Sequence, residues 1–153
     1  MDLQDELTFI LRSAVAAGLA FIVGWEREAR GSPAGDRTFA MVALGSAAFT
    51  TIGIDQFPET AEKLLAGVVT GVGFLGAGMI VKDGGTVRGL TTAAGIWAVA
   101  SIGVVVGAGE YLIGVGLTAL IMLILTWERL PYISTIGVVK RHKTFVEENE
   151  GNR

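Results

Sequence analysis

The chain has 153 residues, 51% of them hydrophobic and 18% charged, with 22 glycines, no cysteine and a formal net charge of -3. The missing cysteine excludes disulfides, thiolate chemistry and cysteine metal sites, and the small net charge gives no footing for a nucleic-acid partner. A mean hydropathy of +0.56 and several uncharged windows of about 17–20 residues, enough to cross ~30 Å of hydrocarbon, identify an integral membrane protein.

Five spans are predicted. The acidic start MDLQDELTF lacks the basic region of a signal peptide, so the first apolar segment, Leu7–Trp25, is expected to be a retained span. Arg12 lies near its start, where a charge snorkels to the interface; an intramembrane functional arginine is the alternative. The loop Glu26–Arg37 begins as a helical continuation, with Glu26 and Arg30 at i and i+4, and is broken by Gly31, Pro33 and Gly35. The second span is Thr38–Ile54, with Asp36 or Thr38 placed to cap its first turn. Asp55–Lys63, with Pro58 and three acids, is expected to be a wet loop.

The third span is Leu64–Val81 and the fourth Leu90–Ala108, joined by the charged elbow Lys82–Gly89. Thr91 and Thr92 are placed to cap the fourth span or to bond back within it. A tight turn at Gly107–Glu110 leads to the fifth span, Tyr111–Trp127, and Pro131 stops that helix. The domain reading is a membrane domain over residues 1–131 and a short tail over residues 132–153.

Lysine and arginine set the orientation. Arg27, Arg30 and Arg37, then Lys82 and Arg88, then Arg129, Lys140, Arg141, Lys143 and Arg153 all fall on one side, leaving Arg12 and Lys63 on the other. Both odd-numbered loops and the C-terminus are therefore expected in the cytoplasm, and the N-terminus outside. The two hairpins, spans one–two and three–four, run alike, but any consecutive pair does so, and no repeat is assigned.

Small residues permit close backbone approach, which matters where helices gain nothing from a hydrophobic effect between them. Gly67 and Gly71 form one GxxxG pair, Gly103 and Gly107 another, and Gly73, Gly76 and Gly78 add to the small-residue runs. The expectation is that spans three and four pack tightly, on each other or on a second copy; a backbone-lined path is the alternative. On the cytoplasmic side Glu26, Arg27, Glu28, Arg30, Asp36, Arg37, Lys82, Asp83 and Arg88 should gather. They form either a solvated rim of weak ion pairs or a surface for a divalent cation, an anion or a partner protein. Glu26, Asp36 and Asp83 are hard oxygen ligands of the kind magnesium takes, though the arginines around them compete.

The polar candidates in mid-span are Ser46, Thr50, Thr70 and Ser101, with no Asp, Glu, Lys or His among them, so ion-coupled transport and catalysis have little to work with. His142 sits in KRHK, a basic run suited to anionic lipid.

The stretches GLAFIVGWEREARGSPAGDRT (Gly18–Thr38) and GVGFLGAGMIVKDGGTVRGLTTAAGIWAVASIGVVVGAG (Gly71–Gly109) resemble the MgtC/SapB family of bacterial and archaeal membrane proteins. Glu26, Arg27, Arg30, Arg37 and Thr38 match the polar part of the family's first motif. Gly73, Phe74, Leu75, Gly76, Ala77, Gly78, Arg88, Gly89, Leu90, Thr91, Thr92, Ala93, Ala94 and Trp97 match its second. Asp36 departs from the pattern, which more often has an apolar residue there. The chain also resembles the short form of the family, without the soluble C-terminal domain of the virulence-factor members.

The resemblance implies an all-α protein of about five spans in a bacterial or archaeal inner membrane, non-enzymatic and linked to growth when magnesium is scarce. In pathogen members it implies restraint of the F-type ATP synthase. Magnesium enters as a possible ligand and no other cofactor is expected. A homodimer or higher homo-oligomer and a membrane protein partner are expected, and a channel or transporter for a small ion or solute is the alternative function.

Overall fold

The computed structural model describes residues 2–127. The predicted stop at Pro131 and the tail with Arg129, Lys140, Arg141, His142, Lys143 and Arg153 lie outside the described residues. Five helices follow in order: α1 (Leu3–Ala29), α2 (Asp36–Gln56), α3 (Ala61–Gly78), α4 (Leu90–Gly107) and α5 (Tyr111–Thr126). A single 3-10 turn, Pro58–Thr60, joins α2 to α3, and a two-stranded hairpin, β1 (Val81–Asp83) and β2 (Thr86–Arg88), joins α3 to α4.

α1 overruns the predicted span at both ends because its polar turns are helical too. The Asp2 carboxylate accepts from the backbone N–H of Gln4 and Asp5 at 2.9 Å, and the Asp5 carboxylate accepts from that of Asp2 at 3.0 Å, a reciprocal cap. α3 begins and ends one turn earlier than expected. At its start Pro58 sets the first turn of the corner, so the expected wet loop shrinks to an exposed bend. At its end Val81 leaves the helix for the hairpin. Gly84 (φ +52°) and Gly85 (φ +94°) supply the left-handed pair that a two-residue hairpin turn needs. The register pairs Val81 with Arg88, Lys82 with Val87 and Asp83 with Thr86.

The distribution of residue size is that of a membrane protein. The interior is built mostly from small residues, Ala16, Ala20, Ala43, Ala47, Thr50, Thr51 and Val99 among them, with Phe39, Ile96 and Ile102 the largest side chains fully inside. The outside holds large apolar ones, including Leu7, Ile10, Phe49, Phe74 and Leu112. A water-soluble domain would reverse that order, whereas lipid solvates the large side chains and leaves helix association to close packing. Three of the helices, and the stretch Pro58–Gly78, are long and apolar enough to cross a bilayer; Tyr111–Thr126 is apolar but shorter. The chain is an all-α, multi-pass membrane protein.

Helices α1, α2 and α4 pack against one another, and α3 leans on α2 and α4. The Gly103–Gly107 pair lies against α2, which corrects the expectation that this face of span four meets span three or a second copy. A Cβ on Gly107 would stand 2.6 Å from the carbonyl oxygen of Ala47, and one on Gly103 would meet the carbonyl of Ala43 and, at 2.6 Å, the Ser46 side chain. Further along α4, Gly95 receives the Phe39 ring, where a Cβ would meet two ring atoms at 3.1 Å. Gly76 is the glycine through which α3 touches α4, next to Ala93. Gly114 seats α5 on Val106 of α4 and, at 3.4 Å, on Leu19 of α1.

The mid-span hydroxyls are satisfied within their own helices. Ser46 donates to the carbonyl of Val42, Thr50 to Ser46 and Thr70 to Ala66, each at 2.8 Å, and Ser101 donates to Ala98 at 2.6 Å. This is the usual way for Ser and Thr to meet their hydrogen-bonding need without water.

Candidate functional site

The polar residues singled out in the sequence converge on one end of the bundle, where the α1–α2 elbow meets the start of α4. The close approach of the two helices at the elbow depends on Gly24. A Cβ there would lie 2.5 Å from the Asp36 Cα and 2.9 Å from both the Gly35 carbonyl oxygen and the Phe39 Cβ. The α1 helix ends as its sequence suggests: Gly31 adopts φ +69°, and the Arg27 carbonyl accepts from the N–H groups of Arg30 and Ser32.

Within the elbow Glu26 forms an ion pair with Arg30 on the next turn of α1, as their i, i+4 spacing predicts. Both side chains are largely withdrawn from solvent, with 10% exposure for Glu26 and 24% for Arg30. Glu28 reaches forward to α2, where its Oε2 accepts from the backbone N–H of Asp36 at 3.3 Å. The first turn of α2 is therefore served by a side chain from the preceding helix. Gly35 occupies the cap position and makes no side-chain cap, so neither Asp36 nor Thr38 fills the expected capping role. The Asp36 carboxylate accepts from the adjacent Arg37 N–H.

Across the bundle the elbow is tied to α4 by one hydrogen bond. The hydroxyls of Ser32 and Thr92 lie 2.8 Å apart, and Thr92 is 2% exposed. Thr92 therefore neither caps α4 nor bonds back within it. Gly89 takes the cap position at φ +86° without a side-chain bond. A Cβ on Gly89 would strike the Met79 carbonyl, so the hairpin returns to α4 tightly against the end of α3. Thr91 is exposed.

The remaining rim residues stay on the outside. Arg37 and Arg88 are exposed, and so are Lys82 and Asp83 on the hairpin. Arg27 is half-buried, with no partner for its Nε among the described residues. Thr38 lines a groove between α2 and α3 that also takes in Gly67 and Gly71. A Cβ added to either of these glycines, or to Gly73 or Gly78, would meet nothing within 4 Å. Trp97 is 55% exposed on α4. Gly24, Ser32 and Phe39 carry the elbow's geometry without having stood out in the sequence. A glycine before Trp25 and a serine inside a broken loop have ordinary explanations until their partners are known.

The arrangement does not fit a magnesium centre built on Glu26, Asp36 and Asp83. Glu26 is engaged by Arg30, and among the described residues no three His, Cys, Asp or Glu side chains group to hold a metal ion.

Comparison with known proteins covers most of the chain. Residues 14–130 match the model of the MgtC family. The protein named "Protein MgtC" from Salmonella typhimurium is 40% identical over 114 residues, 74% of this chain and 49% of that protein. The Escherichia coli protein named "Putative magnesium transporter YhiD" is 39% identical over 126 residues, 76% of this chain and 59% of that protein. "Protein MgtC" from Brucella abortus is 44% identical over 92 residues, 60% of this chain and 39% of that protein. The chain spans about half the length of the curated relatives it matches. No solved structure matches it.

Proposed function

The chain belongs to the MgtC family, and on that premise we propose that it is a non-enzymatic modulator of a bacterial or archaeal inner membrane that acts through its elbow face during adaptation to low magnesium. The observation that carries this reading is the division of labour at that face. Glu28, Ser32 and Thr92 tie the elbow to α2 and α4, and Glu26 and Arg30 pair with each other within α1, largely withdrawn from solvent, while Arg37, Lys82, Asp83 and Arg88 are left outward. A fixed scaffold that presents exposed charges suits recognition of another protein, since rim charges steer and select a partner more than they add affinity. Following the lysine and arginine bias, the elbow face is assigned to the cytoplasm and the corner at Pro58 to the outside. The partner is a membrane complex, for which the family resemblance offers the F-type ATP synthase, and the chain works there as a homo-oligomer.

The alternative, transport of a small ion, draws on the name of the Escherichia coli relative. It is less favoured because Ser46, Thr50, Thr70 and Ser101 donate within their own helices, and Gly67 and Gly71 line an open groove.

The test is growth in low magnesium of a host without its own family member, complemented by this chain. Arg37→Glu and Arg88→Glu should insert at wild-type level and fail to complement. Full complementation by both would overturn the reading. Ion flux through the purified protein in liposomes would move the assignment to transport.

A further inference from the structure

We draw no further inference here: the strongest candidate, the open apolar groove between α2 and α3 that Gly45, Gly67 and Gly71 line, is an unpartnered face, and nothing in the structure shows what covers it.

Discussion

The Arg12 guanidinium donates from Nη1 to the carbonyl oxygen of Gly107 at 3.0 Å, joining the first turns of α1 to the last residue of α4. The same carbonyl accepts from the Thr51 hydroxyl of α2 at 3.0 Å. Three helices thus meet at one oxygen, at the opposite end of the bundle from the elbow. The cation also lies at the negative end of α4, where a partly buried charge contributes up to ~2 kcal/mol. Arg12 does sit near the end of its span, as the sequence suggests, but it is bound to the protein instead of reaching only for the interface. Arg12→Gln should lower stability by about 1.5–3 kcal/mol, the range for a hydrogen bond to a charged group. Thermal unfolding of the purified chain in micelles measures this. A fall under about 0.5 kcal/mol, the size of an ordinary surface substitution, would leave snorkelling as the better description.

The two GxxxG pairs should respond in opposite ways to alanine. At Gly103 and Gly107 the new methyl would press on α2 backbone, at Ala43 and Ala47, which cannot turn aside. Each substitution should cost about 1–3 kcal/mol, as overpacking does. At Gly67 and Gly71 the methyl meets open space. There alanine should be neutral or stabilise by about 0.5–1 kcal/mol through its better helix propensity. Four single variants, compared by thermal unfolding, settle the contrast. Equal losses at both pairs would mean that Gly67 and Gly71 face protein in the membrane.

Those glycines show why the sequence was only partly legible. Apolar length and the breakers at Gly31, Pro33 and Gly35 are local signals, and the helices and elbows lie close to where those signals put them. A GxxxG pair says that a helix has a face for close approach, but not which neighbour takes it. Gly103 and Gly107 found α2, while Gly67 and Gly71 found no partner among the described residues. The hydroxyl pair Ser32–Thr92 joins residues sixty positions apart, and neither side chain differs in type from any loop serine or helix-start threonine. The hairpin was missed for another reason. A six-residue pair of strands between two helices gives too short an alternation to stand out against a charged loop.

The Ser32–Thr92 bond should couple the elbow to α4 measurably. Thr92 is buried, so Thr92→Val keeps the shape and leaves the Ser32 hydroxyl without this partner. Ser32→Ala and the double variant complete the cycle. The expected interaction energy is about 0.5–1.5 kcal/mol, the net value of one hydrogen bond. Strictly additive single losses would show that the two hydroxyls are near each other without contributing to the joint.

Glu26 and Arg30 should prove structural, in contrast to the outward Arg37 and Arg88. Removing one member of a well-buried ion pair costs about 3–5 kcal/mol, because the other charge is left in a poor solvent. Arg30 retains 24% exposure, which lets water relieve part of that penalty. Glu26→Ala should therefore destabilise by about 1–3 kcal/mol, and replacing both residues by alanine should cost less than the sum of the two single losses. Arg37→Ala and Arg88→Ala, at exposed positions, should stay within about 0.5 kcal/mol of wild type. Unfolding temperature and the amount of protein inserted in the membrane, measured for all five variants, separate the groups. If Glu26→Ala were as stable as wild type and still failed to complement growth, Glu26 would belong with the recognition residues and not with the scaffold.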